Sequence, residues 1–242
     1  MIKVGCCGYP VSREKYYKEF DCIEINSTFY QLPELKIAQK WHDESPANFE
    51  FIIKAWQLIT HKTSSLTYRR LREKIPEKEK KFYGFFQNTK KVFAAWERTE
   101  KFAKTLGCKK IVFQCPSSFK PTAENISNIK NFFHKINSPK SSFLFILELR
   151  GKEWSSVLIK SICKELKLIH CTDPTRKTPL YGTLNYYRLH GTYINDRINC
   201  SYQYTDKELK YILSKCNKKL NYVMFNNITM FEDAIKFKKM IN

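Results

Sequence analysis

Eight short apolar runs, most of them separated by helical stretches, constrain this 242-residue chain more than any other feature. They fall at 2–6 (IKVGC), 22–26 (CIEIN), 49–54 (FEFIIK), 110–115 (KIVFQC), 143–149 (FLFILEL), 167–171 (KLIHC), 186–190 (YYRLH) and 220–226 (LNYVMFN). Strands that are apolar on both faces and alternate with helices build a parallel sheet, because only a helix-covered sheet is buried on both sides. Helices are expected at 12–19, 34–44, 64–75, 89–106, 122–136, 153–165, 205–216 and 229–240. Ser12, Thr205 and Thr229 stand where N-caps belong and Gly107 where a helix stops, while Pro116 and Pro174 close two strands. Eight such units suit a TIM-type (β/α) barrel, regular or irregular, better than a doubly wound open sheet. No linker or internal repeat divides the chain, so residues 1–242 read as a single α/β domain. The third unit is long, and its segment 74–89 (KIPEKEKKFYGFFQNT) fits a lid, an extra helical pair or a short aromatic strand at 82–86.

Polar residues interrupt the strands at a consistent place. In an extended chain alternate side chains share a face, so Glu24 and Asn26 look one way while Ile23 and Ile25 look the other. The same spacing recurs at other C-terminal strand ends, in Glu148 and Arg150 and in Arg188 and His190. Lys54 ends strand three, Gln114 lies near the end of strand four, Asp173 follows strand six, and Asn226 and Asn227 close strand eight. In a (β/α) barrel the catalytic groups come from the C-terminal ends of several strands. One charge-neutralising pair would account for two of these positions, but not for the set.

Composition narrows the partners less sharply. The formal charge of +20 attracts polyanions, yet only nine of the 43 basic residues are arginine and the lysines are scattered. General lysine enrichment explains this as well as a dedicated phosphate-binding surface does, so nucleic acid stands as an alternative partner. No run of eighteen apolar residues and no signal-peptide core occur, so no membrane is expected and a cytoplasmic location is the simplest reading. Nine cysteines with no C-x-x-C pair read as free, mostly buried thiols.

A family likeness rests on particular segments: GCCGY (5–9), IEINSTFYQLP (23–33), the spacing of Trp41, Pro46, Phe49, Phe51 and Lys54, and TH (60–61). It continues through FQCPSSF (113–119), LELR (147–150) followed by Trp154, YYRLHG (186–191) and VMFNN (223–227). Together they resemble domain of unknown function 72 (DUF72), also called YecE-like, from end to end. The resemblance implies a TIM-type barrel with these polar residues at one mouth, and it carries no reaction. That barrel is similar to those of the xylose isomerase and endonuclease IV group. One departure is that Cys6 and Cys7 stand where the family more often has a Thr-Ser pair.

The chemistry expected at the mouth follows from the residue types. Arg150, Arg188 and Lys54 favour an anionic substrate, phosphate- or sugar-containing, since arginine offers a fork and lysine a point charge. Glu148 or His190 would transfer a proton, and Glu24 with Asn26 would orient the reacting group. His61, Gln114, Asp173, Asn226 and Asn227 would complete the site, with Tyr30 and Trp154 as wall residues. One divalent ion, on carboxylates with His61 or His190, is compatible with this inventory but not required by it. Phosphoryl and sugar chemistry both fit; the alternative is a non-enzymatic polyanion-binding protein.

Overall fold

The computed structural model describes residues 1–137, 142–195 and 197–241. In chain order the elements are β1 (Ile2–Cys6), α1 (Arg13–Glu19), β2 (Cys22–Ile25), α2 (Ser27–Tyr30), α3 (Leu35–Asp43), β3 (Glu50–Lys54) and α4 (Gln57–Thr60). Then come α5 (Lys90–Thr105), β4 (Lys110–Cys115), α6 (Ala123–Ile136), β5 (Leu144–Leu149), α7 (Ser156–Glu165), β6 (Ile169–Thr172) and β7 (Asn185–Leu189). The chain ends with β8 (Thr192–Ile194), β9 (Arg197–Asn199), α8 (Asp206–Ser214), β10 (Asn221–Phe225) and α9 (Met230–Lys239).

Eight parallel strands form one sheet in the order β1-β10-β7-β6-β5-β4-β3-β2, curled into a nearly closed barrel with helices outside. The seam between β1 and β2 is closed by a side chain. The Tyr16 hydroxyl accepts from the Cys6 amide at 2.7 Å and donates to the Cys22 carbonyl at 2.9 Å, so it stands in for a direct ladder bond. Close approach here depends on Gly5, where a Cβ would lie 2.5 Å from the Cys22 carbonyl oxygen.

Strand parity separates two cores. Ile23, Ile25, Ile53, Phe113, Leu147 and Phe225 point outward into the layer beneath the helices. Cys22, Ile52, Val112, Ile146, Ile169, Cys171, Tyr186 and Met224 fill the barrel itself. Helix α5 shows why the outer layer forms: Thr89 caps it by accepting from the Val92 amide, and Val92, Ala95, Trp96, Thr99, Phe102 and Ala103 make one buried stripe. Gly107, at φ +72°, ends it as expected. At the N-terminal end of the barrel, Glu50 accepts hydrogen bonds from Lys3, Lys110 and the Tyr222 hydroxyl, closing that end with a neutralised cluster.

Several expectations are corrected. No helix spans 64–75; that stretch holds a 3-10 turn at Leu66–Arg70 and then extended chain. Its apolar residues do not form a buried stripe, and Leu66 is exposed. A second 3-10 turn, Glu77–Phe82, follows Pro76, and 82–86 is not a strand. There the backbone turns left-handed at Gly84, Phe85 and Phe86, and the amides of Gly84 and Phe86 donate to Leu58 and Ile59 carbonyls. The seventh helix begins at Ser156, not 153. Thr229 makes no side-chain cap; its hydroxyl donates to Asp233 instead. The short helices α2 and α4 and the β8–β9 hairpin lie outside what the sequence predicts, being too short for a periodic signal. Thr205 does cap α8, in a capping box with Glu208. All nine cysteines are free and seven are buried.

Candidate functional site

Inward parity at the C-terminal strand ends gathers charge inside the barrel. Glu24 of β2, Lys54 of β3, Gln114 of β4, Glu148 of β5 and Arg188 of β7 are all buried, and Gln114 pairs in register with Glu148. Asn26, Arg150, Asp173, His190 and Asn226 stand just beyond their strands.

Arg188 is the centre of the arrangement. Its Nε donates to Glu24 Oε2 at 3.0 Å and its Nη2 to Glu24 Oε1 at 2.8 Å. Nη1 donates to Glu148 Oε2 at 2.5 Å, and Nη2 also reaches Asn26 Oδ1 at 3.3 Å. The guanidinium is 1% exposed, so its donors are spent within the protein. Glu24 also accepts from the Tyr186 hydroxyl at 2.8 Å, which leaves it well satisfied for a wholly buried carboxylate.

Arg150 is placed differently. Its Nε donates to Glu148 Oε1 at 2.5 Å and its Nη2 to His190 Nε2 at 2.8 Å. The side chain is 30% exposed, and among the described residues nothing accepts from its Nη1. Burial alone would raise the Glu148 carboxyl, but Arg150 and Arg188 hold it well below the usual range. His190 Nδ1 faces the Arg188 carbonyl at 3.0 Å. It is a donor there and Nε2 is an acceptor, the pattern of a neutral imidazole. Burial first, and then Arg150, push its proton affinity well down.

Lys54 is the unusual cation. Its Nζ donates to Gln114 Oε1 at 2.8 Å and lies 3.7 Å from the centre of the Phe29 ring, with no carboxylate in ion-pair contact among the described residues. Burial, then Arg188 and Arg150, bring its pKa down to about 7. His61 rests edge-on against Phe29 and bonds the Thr60 hydroxyl at 2.8 Å; burial, Lys54 and Arg150 hold it at about 3. Asp173 Oδ1 takes both Thr175 donors, while Oδ2 is enclosed with no hydrogen-bond partner among the described residues. Burial raises that carboxyl, against the opposing hydrogen bonds of Thr175.

Asn26 joins Asn226 across the mouth at 3.2 Å and also donates to the Cys7 carbonyl. Three expected residues make side-chain contacts outside the charged cluster. Asn227 has the opposite parity and donates to Asp233 and the Tyr202 carbonyl. Trp154 stacks on Phe119 and donates to its carbonyl, and Tyr30 lies under the Arg70 guanidinium. Sequence reasoning misses Tyr186, although its parity with Arg188 and His190 is the available signal. Among the described residues no three His, Cys, Asp or Glu side chains are grouped to hold a metal ion; Glu24 and Glu148 turn toward guanidinium groups instead. No described helix is long and apolar enough to cross a membrane.

Known proteins resemble this chain along its whole length. The UPF0759 protein YunF of Bacillus subtilis is 25% identical over 287 aligned positions, spanning 100% of this chain and 94% of that protein. The crystal structure of a DUF72 family protein from Enterococcus faecalis V583 is similar with a TM-score of 0.74 at 20% identity, covering 100% of this chain and 98% of that one. Endonuclease IV from Thermus thermophilus has a TM-score of 0.57 at 8% identity, covering 99% and 98%, a likeness of fold alone. The family described as "Protein of unknown function DUF72" matches residues 11–242, and the chain belongs to that family.

Proposed function

We propose that this protein is an enzyme acting on an anionic, phosphate- or sugar-containing substrate at the C-terminal mouth of the barrel. The observation that carries this reading is the contrast between the two arginines. Arg188 is consumed by Glu24 and Glu148, whereas Arg150 is 30% exposed and among the described residues nothing accepts from its Nη1. Arg150 is therefore the anion anchor, and Arg188 is a positioning residue that holds the two carboxylates in place.

Proton transfer follows from the same geometry. A substrate anion draws the Arg150 guanidinium outward, which uncovers the Nε2 lone pair of His190 as a base. Glu148 stays ionised behind it.

The test is calorimetric titration with inorganic phosphate and sugar phosphates at fixed ionic strength. Arg150→Ala should weaken binding at least about tenfold, since it removes a charge-assisted pair, while Lys36→Ala on the exposed surface should not. Equal loss in both variants would make the attraction general and the mouth irrelevant.

A second reading, polyanion binding without catalysis, is favoured by one feature. A groove of about 520 Å³ lies between the loops after β3 and β4, and Lys62, Lys80, Lys81 and Lys120 line it. Binding through it should fall steeply with salt and ignore Arg150→Ala.

A further inference from the structure

Among the described residues two lysines are buried, and they are treated oppositely. Lys110 faces the Glu50 carboxylate at the closed end of the barrel, as a buried ammonium ordinarily requires. Lys54, at the open end, has an amide oxygen and a ring face as partners. Gln114 is itself fixed, because its Nε2 donates to the Cys115 carbonyl at 2.7 Å and so keeps Oε1 toward the amine. Thr28 donates to the Lys54 carbonyl at 2.7 Å and anchors the backbone beneath. The amine is thus held in place, with no carboxylate in ion-pair contact among the described residues.

We propose that Lys54 is a nucleophilic amine that forms an imine with an aldehyde or ketone substrate whose anionic group is taken by Arg150. This rests on the anion-binding reading of the mouth and adds the reacting group. The neutral amine attacks the carbonyl carbon, forming a C–N bond as the carbonyl oxygen gains a proton and the nitrogen loses one. The resulting carbinolamine expels its hydroxyl as water after protonation, and loss of the second nitrogen proton leaves the imine. Overall, an amine and a carbonyl give an imine and water, with no oxidant or reductant needed. Desolvation next to other cations is a known means of keeping such an amine unprotonated near neutrality, and both conditions hold here. The charges acting on Lys54 are Arg188 and Arg150 against it and Glu148 and Glu24 for it, while His61 and His190 are neutral neighbours.

The experiment is reductive trapping with dihydroxyacetone phosphate and, separately, pyruvate, each with sodium borohydride at about pH 7.5, near the pKa at which the amine loses its proton, followed by intact-mass measurement and peptide mapping. One borohydride-stable adduct per chain on the Lys54 peptide is the expected result. It should vanish in Lys54→Arg and persist in Arg150→Ala only at higher probe concentration. Mapping the unsubstituted protein decides the question even if Lys54→Arg does not fold. Labels spread over exposed lysines with Lys54 unmodified overturn the inference. If phosphate still binds by calorimetry in that case, the anion site stands and only the covalent step falls; if neither occurs, both fall.

Discussion

Replacing Lys54 by methionine removes a buried charge and keeps most of the apolar stem, so it isolates what that charge costs the fold. The folded pKa of about 7 lies below the ordinary 10.5, so between these values the unfolded chain binds a proton that the native state does not. Stability of the native protein therefore rises with pH across that window, and the penalty is present in full below about pH 7. At about 1.4 kcal/mol per pH unit the gap amounts to roughly 5 kcal/mol at most. Methionine gives up the bond to Gln114 and the contact with Phe29, worth about 1–2 kcal/mol together. Lys54→Met should thus be more stable than the native protein by about 3 kcal/mol at about pH 6, with the advantage gone near pH 10. Urea unfolding of both proteins from about pH 6 to about pH 10 measures the difference, and groups that titrate alike in both cancel. A difference that stays flat with pH would refute the claim that Lys54 is an unpaired, desolvated amine.

Other perturbations probe the frame around it. Arg188→Met leaves buried Glu24 without a cation and Glu148 with Arg150 alone, and should cost about 3–5 kcal/mol or abolish folding, as urea unfolding would register. Tyr16→Phe leaves the Cys6 amide and the Cys22 carbonyl unpaired at the barrel seam and should cost roughly 1–3 kcal/mol, with faster amide exchange in β1 and β2. Gly84→Ala drives a Cβ into the His61 carbonyl at φ +81°, so a loss of at least about 1–3 kcal/mol should accompany a changed His61 resonance by NMR.

How much of this was legible in the sequence depends on the range of the interaction. The barrel was, because each strand carries its own apolar run and a period of two tells inside from outside along a single short strand. That same period places Glu24, Glu148, Arg188 and His190 on one face of their strands. It did not tell Arg188 from Arg150, because the difference lies in which cation meets Glu24, a residue 164 positions away from Arg188. The seam bond of Tyr16 was equally hidden, since a tyrosine in an amphipathic helix reads as ordinary core. The expected helix at 64–75 failed for a different reason. Its local composition tolerated a helix, but the segment from Leu58 to Phe86 is held by backbone bonds to a left-handed turn that periodicity does not reveal.

The most direct test of the anion site is a high-resolution crystal structure of protein purified without chelator, grown with phosphate at near-physiological ionic strength. The expected result is an anion bonded to Arg150, with the Arg188 bridge between Glu24 and Glu148 unchanged behind it and the His190 Nε2 released. Phosphate found only against the lysines of the neighbouring groove, with Arg150 still bonded to His190, would contradict it.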